Sequence, residues 1–234
     1  MKTILHRADS RGHANHGWLQ SFHSFSFAGF YNPEKMGFGL LRVLNDDVVS
    51  GGMGFATHSH DNMEIVSIPL TGSLRHKDNV GNTAVINSGE VQIMSAGTGI
   101  QHSEYNNSST DPVNFLQLWI IPKLRNIEPR YDQKLFLPEE RNTWQVVVSP
   151  DGEGLWINQD AYISRGQLAA AHDLPYQWHK NGNGIYLFLI SGEIEIDNHL
   201  LNSKDAIGVW DTDQILVTAK EDSQILVIEV PMNQ

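Results

Sequence analysis

The sequence predicts an all-β protein made of two tandem β-barrels, on three observations. Apolar and polar residues alternate in short runs of about five to eight residues, which is typical of strands that bury one face. Gly, Asn, Asp and Ser bound these runs, and convincing helical periodicity is almost absent. The pattern of the first half also recurs weakly in the second, which fits two similar barrels in a chain of 234 residues.

The predicted strands follow one another along the whole chain. They include "GLLRVLND", "EIVSIPLTGSLRHKD", "TAVINSGEVQIMSAG", "NFLQLWIIP", "QVVVSP", "GLWINQDAYISRGQL", "IYLFLISGEIEIDNHLL" and "QILVIEVP". The segment "QDAYISRGQLAAAHDLP" contains an alanine run that is compatible with a helix. Gly166 interrupts this run, and a strand-turn-strand is equally plausible.

The internal repeat aligns residues 65–74 with 186–195, so that Gly72 matches Gly192 at a turn. Residues 89–104 align with 204–219, and each half ends in an apolar strand closed by Pro122 or Pro231. The join is expected in the charged, weakly periodic segment 123–142. We therefore predict an N-terminal domain at 1–130 and a C-terminal domain at 131–234.

Composition restricts the possible partners and ligands. The net charge of −11 repels polyanions, so we expect neither direct nucleic-acid binding nor membrane binding. The absence of Cys excludes disulfides and thiolate ligands, and any metal must be held by nitrogen and oxygen. No apolar run approaches the roughly 18 residues of a membrane span, and the N-terminus has no signal-peptide pattern. The expected location is the cytoplasm.

Two pairs of candidate metal ligands occur at the same spacing. His58 and His60 stand in "FATHSHDNMEI", and His102 and Glu104 stand in "GIQHSEYN". Residues i and i+2 of a strand point to the same side, so each pair projects together. Three imidazoles and a carboxylate suit a divalent Fe, Ni, Cu, Mn or Zn ion and leave coordination positions free for catalysis.

The glycine frames around these pairs carry a family resemblance. The first segment reads G-x5-H-x-H-x3-E from Gly52 to Glu64, and the second reads G-x5-S-x-G-x4-H-x3-N from Gly89 to Asn106. These resemble the two motifs of the cupin superfamily, with a serine for a proline in the second motif and small insertions in both. "SAGTGIQHSEYN" and "RGHANHGWLQSFHSFSFAGFYNPEKMGFGLLRVLNDD" more closely resemble the pirin branch. The likeness covers about the first 120 residues and continues more loosely to the C-terminus.

The resemblance implies a bicupin, in which each barrel is a cupin double-stranded β-helix (jelly roll) and only the N-terminal one binds metal. It places the metal ligands at His58, His60, His102 and Glu104. Glu64 matches a ligand position of many other cupins, but pirins take the carboxylate from the second motif. We therefore expect Glu64 beside the metal or facing substrate, with a structural salt bridge as the alternative. Glu104 and Glu64 are the candidates for the catalytic base.

The repeat supports this asymmetry independently. Residues 102 and 104 align with Val217 and Ala219, and residues 58 and 60 align with Trp178 and Lys180. None of these four residues can rebuild the metal site, so the second barrel is predicted to be structural.

The remaining aromatic and histidine residues have weaker assignments. The run Trp18, Phe22, Phe25, Phe27, Phe30 and Tyr31 is expected in the core, with a pocket wall as the alternative. Phe55, Met94 and Trp119 are candidates to line a cavity near the metal. Loop, core or solvated roles are expected for His13, His16, His23, His172, His179 and His199.

The pirin resemblance implies a metal-dependent quercetin 2,3-dioxygenase that opens a flavonol with O₂. Its substrates would be O₂ and a small planar aromatic molecule. Its cofactor would be one divalent metal ion, for which Fe²⁺ is the expected ion and Zn, Ni, Cu or Mn are the alternatives. The alternative is an iron- or redox-sensing regulatory protein that acts through protein partners. A non-redox cupin enzyme such as an isomerase is a third possibility.

Overall fold

The computed structural model describes residues 1–137 and 140–233 of the chain. Within those ranges the only helix is one 3-10 turn, Ala8–Ser10. The strands are β1 Lys2–His6, β2 Gly12–Asn15, β3 Leu19–His23, β4 Leu41–Val49, β5 Gly54–His60, β6 Glu64–Thr71, β7 Ser73–Asp78, β8 Thr83–Asn87, β9 Glu90–Ser95, β10 Ile100–Asn106, β11 Val113–Ile120, β12 Arg130–Leu135, β13 Trp144–Ser149, β14 Leu155–Trp156, β15 Tyr162–Leu168, β16 Asp173–Gln177, β17 Asn183–Ser191, β18 Glu193–Ile196, β19 His199–Asn202, β20 Ala206–Trp210, β21 Gln214–Ala219 and β22 Ser223–Pro231. No helix in the described part of the chain is long and apolar enough to cross a membrane.

These strands form two barrels, each built from a seven-stranded and a four-stranded sheet. The N-terminal barrel has the orders β12-β9-β6-β11-β4-β3-β2 and β5-β10-β7-β8. The C-terminal barrel has the orders β1-β20-β17-β22-β15-β13-β14 and β16-β21-β18-β19. The all-β prediction with two tandem barrels is confirmed.

The internal repeat corresponds to equivalent strands of the two barrels. The central strands of the large sheets run β9-β6-β11 in one barrel and β20-β17-β22 in the other. Gly72 (φ +75°) and Gly192 (φ +97°) make the matching β6–β7 and β17–β18 turns in the left-handed region, which Gly adopts without steric cost. The alanine-containing segment forms strands β15 and β16 with a turn between them.

Two strands cross the predicted boundary between the halves. β1, at the N-terminus, pairs with β20 of the C-terminal barrel from Lys2 to His6. β12, from the connecting segment, pairs with β9 of the N-terminal barrel through Leu135 opposite Glu90. The division at 130/131 stays a prediction. Each barrel includes one strand from the other side of that division, β12 in the N-terminal barrel and β1 in the C-terminal one.

Apolar residues lie mainly between the large sheets and inside the C-terminal barrel. One cluster combines Val66 and Leu118 of the first large sheet with Phe188 and Ile228 of the second. A second cluster fills the C-terminal barrel with Leu187, Ile207, Val227 and their neighbours. The burial of these side chains is the main force that holds the barrels together.

The N-terminal barrel, by contrast, has a polar row between an apolar cluster around Phe115 and another around Ile65. Strand register aligns one row of neighbours across its large sheet: His23, Asn45, Gln117, Ser67, Gln92 and Gln133. Counting from Gly72 and Gly192, the corresponding row of the second barrel is mostly apolar: Ser164, Val227, Leu187, Ile207 and Leu5. Burying polar groups costs free energy unless they are paired. At this row the first barrel therefore has less apolar packing than the second, and the residues described next lie around it.

Candidate metal centre

Strands β5 and β10 bring three histidines together at the mouth of the N-terminal barrel. Their antiparallel register sets His58 directly opposite His102. The ring centroids lie 4.5 Å apart for His58 and His102, 4.8 Å for His58 and His60, and 5.0 Å for His60 and His102. One ring nitrogen from each residue lies within 4.8 Å of the other two. We call this set the outer group.

The hydrogen bonds of the outer group leave nitrogen lone pairs available. His58 Nδ1 lies 2.8 Å from the Ala56 carbonyl oxygen and donates to it, which leaves the Nε2 lone pair unused. His102 is 2% exposed, and both of its ring nitrogens lack a hydrogen-bond partner. Unpaired buried nitrogens are costly, and a bound cation would satisfy the one His102 nitrogen that carries a lone pair. The donor set therefore fits a divalent transition metal.

The environment also keeps His60 and His102 neutral. Burial, aided by the neighbouring His102 and His58, lowers the pKa of His60 to about 4. Burial together with His58 and His76 lowers the pKa of His102 to about 3. The neutral imidazole is the form that coordinates metals.

Glu104 is buried and belongs to a second, overlapping group. A register shift between His102 and Glu104 pairs Glu104 with Phe55 on the β5 side. Its Oε1 accepts from Ser67 Oγ at 2.9 Å and its Oε2 from Gln117 Nε2 at 2.7 Å. One carboxylate oxygen of Glu104 lies within 4.8 Å of ligand nitrogens of His76 and His102. The four predicted ligands thus fall into two groups that share His102.

His76 is a neighbour of this site that the sequence reasoning missed. It is fully buried on β7, and its ring centroid lies 5.4 Å from that of His102 and 4.5 Å from that of Tyr131. The available signal was the H-x-D pair in "SLRHKD", which has the same i, i+2 spacing as the two recognised pairs. We call His76, His102 and Glu104 the inner group.

Glu64 joins strand β9 of its own barrel to the segment between β14 and β15 of the C-terminal half. Its Oε2 accepts from Ser95 Oγ at 2.8 Å and from the Asn158 backbone N–H at 3.1 Å. Burial raises the pKa of this carboxyl group, against the lowering effect of those hydrogen bonds. Glu64 belongs to neither group of candidate metal ligands in the described residues.

Of the predicted cavity-lining residues, Trp119 lies against the outer group. Its ring centroid is 4.9 Å from that of His60, and Phe27 packs edge-on against Trp119 at 5.4 Å. Phe55 packs on Trp18 in the cluster that contains Phe115, and Met94 packs in a small cluster with Ile65 and Trp119. The outer group thus borders a small aromatic wall.

The second barrel has no comparable group at the corresponding positions. Trp178 is buried and donates from Nε1 to the Asn183 carbonyl, while Lys180 forms an ion pair with Asp160 at 2.6 Å. His179 lies 2.9 Å from the Glu229 carboxylate through Nδ1. In the described residues, both groups of candidate metal ligands lie in the N-terminal barrel.

Comparisons with known proteins agree with this architecture. The Pirin family model matches residues 5–120, and the model of the quercetinase C-terminal cupin domain matches residues 146–230. A protein of Escherichia coli K12 named quercetin 2,3-dioxygenase is 42% identical over 229 residues, covering 97% of this chain and 98% of its own. A pirin-like protein of Caulobacter vibrioides is 37% identical over 94% of this chain and 96% of its own.

A solved structure shows the same fold over the whole length. The bacterial pirin YhhW of Escherichia coli in complex with nickel(II) superposes with a TM-score of 0.93 and 41% identity, covering 98% of this chain and 99% of that one. Identity at this level over nearly the full length establishes common family membership, and the resemblance first seen in the glycine frames is confirmed. The chain belongs to the pirin family.

Proposed function

We propose that the protein is a metal-dependent oxidoreductase of the quercetin 2,3-dioxygenase type, which opens a flavonol with O₂. The observation that carries the proposal is the outer group: three converging imidazoles, of which His102 is buried with neither ring nitrogen paired. The 42% identity to a quercetin 2,3-dioxygenase over 97% of the chain supports the same activity.

The proposed metal ligands are His58, His60 and His102, with Glu104 as the carboxylate. A bound divalent transition metal would supply a Lewis acid for the substrate hydroxyl and open positions for reactants. His58 and His60 lie on the solvent side of this set and His102 on the buried side. Fe²⁺ is the proposed ion, and the donor set also suits Ni, Zn, Cu and Mn.

Glu104 is the proposed base for the hydroxyl proton of the substrate. Ser67 and Gln117 each donate to one oxygen of its carboxylate, so the group is fixed in direction and keeps a free lone pair on each oxygen. Glu64 was the second candidate base. Its two hydrogen bonds to Ser95 and Asn158 favour a role in holding the barrels together.

The walls of the site favour a flat ligand. Trp119 and Phe27 meet edge to face beside His60, and aromatic surfaces of this kind bind planar rings. Ring contact would orient the substrate so that its hydroxyl faces the histidines. The proposed substrate class is therefore a planar aromatic molecule with an ionisable hydroxyl.

The test is oxygen uptake and carbon monoxide release with a panel of flavonols, using wild-type protein and His58→Ala. His16→Ala is the matched control, because His16 is an exposed histidine outside the site. Uptake of O₂ with CO release, lost in His58→Ala and kept in the control, supports the proposal. Metal binding without O₂ consumption would instead favour the regulatory alternative or a non-redox enzyme.

A further inference from the structure

The inner group has the features of a cation site in its own right. One ligand atom each from His76, His102 and Glu104 lies within 4.8 Å of the other two, and these residues are 0%, 2% and 1% exposed. The register of β7 and β10 sets Glu104 directly opposite His76 and His102 opposite Asp78. The inner group is therefore produced by regular strand pairing and not by a flexible loop.

His76 is oriented as metal-binding histidines usually are. Its Nε2 donates to Asp78 Oδ2 at 3.0 Å, which fixes the proton on Nε2 and leaves the lone pair on Nδ1. Asp78 in turn accepts from the side chain and backbone of Asn82, at 2.8 Å and 2.9 Å. A ligating histidine characteristically donates its other N–H to such a carboxylate.

The free nitrogen of His76 has no other explanation in the fold. His76 Nδ1 is buried and has no hydrogen-bond partner, and the same is true of both ring nitrogens of His102. Three unpaired nitrogens in one buried region are more than a protein interior normally tolerates. Glu104 adds negative charge beside them.

We propose that the N-terminal barrel offers a single divalent transition metal ion a second, deeper position, held by His76 Nδ1, His102 and Glu104. The outer position uses His58, His60 and His102 with Glu104 as the carboxylate, so the two positions share His102 and Glu104. Because the two positions share ligands, the proposal is that one ion occupies either position at a time. The proposal rests on the metal-binding part of the proposed function.

The two positions differ in access. The outer position includes histidines that reach solvent, whereas every ligand of the inner position is buried. An ion in the inner position is shielded from solvent and from substrate. We therefore expect metal in the inner position to exchange with solvent more slowly than metal in the outer position.

The test measures Co²⁺ binding by equilibrium dialysis in the full chain. His58→Ala/His60→Ala removes the outer position, and adding His76→Ala removes the inner one as well. The matched control adds His23→Ala instead, because His23 is buried in the same barrel with an unpaired Nδ1 but lies outside both groups. Circular dichroism of each variant establishes that it is folded.

The double variant should still bind about one equivalent of Co²⁺, some 10- to 100-fold more weakly than wild type, and His76→Ala should weaken it at least about tenfold further. The His23 control should match the double variant. If the double variant binds Co²⁺ no more tightly than the triple variant that also lacks His76, the inner position is contradicted. If wild type binds Co²⁺ and the double variant does not, the inner position is contradicted but the metal site of the proposed function is not. If wild type binds no Co²⁺, both are contradicted.

A second measurement does not depend on a variant of His76. Anomalous diffraction from Co²⁺-loaded crystals of His58→Ala/His60→Ala should show a peak between His76 and Glu104. No peak there, or a peak confined to the positions of residues 58 and 60, would contradict the proposal.

Discussion

His58 and His102 lie directly opposite each other on strands β5 and β10, with ring centroids 4.5 Å apart and no hydrogen bond between them. His58 is fixed by the Ala56 carbonyl, and His102 has no hydrogen-bond partner. Two facing imidazoles with unused lone pairs gain little from each other. Their arrangement fits the shared cation proposed above, and the predictions below follow from that proposal.

Substitution His102→Ala should separate metal binding from folding. We expect metal affinity and flavonol turnover to fall about 100-fold or more, because His102 belongs to both groups. The free energy of unfolding of the metal-free protein should change by only about 1 kcal/mol, since the cavity and the removal of an unpaired imidazole have opposing effects. Urea unfolding of metal-free samples measures this. A large stability loss would indicate a structural role for His102.

Substitution Gln117→Leu should weaken the site although it replaces none of the proposed metal ligands. It removes the donor that lies 2.7 Å from Glu104 Oε2 and keeps a similar volume. We expect kcat/KM or metal affinity to fall about 10- to 100-fold, as for other partners of metal-site residues. Gln167→Leu, at an exposed position of β15, is the control. Equal activity of the two variants would show that Gln117 does not orient Glu104.

Substitution Glu64→Gln distinguishes a catalytic base from a structural acceptor. The amide oxygen of Gln can still accept from Ser95 and Asn158. We expect a stability loss of about 1 kcal/mol and a kcat within about threefold of wild type. Paired measurements of kcat and urea unfolding decide the question. A loss of kcat by orders of magnitude at unchanged stability would make Glu64 the base.

The docking of β1 on the C-terminal barrel should depend on pH. Burial, and secondarily the charge of Lys35, lowers the pKa of His6 to about 4, and His6 Nδ1 lies 2.9 Å from the Tyr186 hydroxyl. Between about pH 6.5 and 4 the unfolded chain binds a proton at His6 that the folded chain does not. Stability from this residue is therefore present above pH 6.5 and is lost as pH falls towards 4, by roughly 3 kcal/mol at most.

Urea unfolding at several pH values measures this effect against His6→Gln, which cannot titrate. The variant should show a shallower loss of stability between pH 6.5 and 4. Parallel pH profiles for the two proteins would refute the assignment.

The fold could be predicted because the alternation within each strand and the repeat between the two halves can both be read directly from the sequence. Strand pairing at a distance was less accessible: nothing in "KTILH" shows that β1 joins the sheet of the opposite barrel. The pairing of β12 with β9 depends in the same way on contacts between distant segments. Such pairings are set by how the two barrels pack and not by the pattern of one strand.

The candidate site was predicted in part for a similar reason. The i, i+2 spacing places His58 and His60 together, and the glycine frames point to His102 and Glu104. The register shift after His102 displaces Glu104 along β5, while the regular pairing of β10 with β7 sets Glu104 opposite His76, and a single sequence reveals neither the β-bulge nor that pairing. The hydrogen bonds of Ser67 and Gln117 likewise depend on three strands meeting.

The most direct test of the central claim is O₂ consumption with quercetin by protein stripped of metal and then reloaded with Fe²⁺ or Ni²⁺. The account predicts negligible turnover by the stripped protein, recovery with about one equivalent of metal, and no recovery in His102→Ala. Full turnover by protein shown to contain no metal would contradict it.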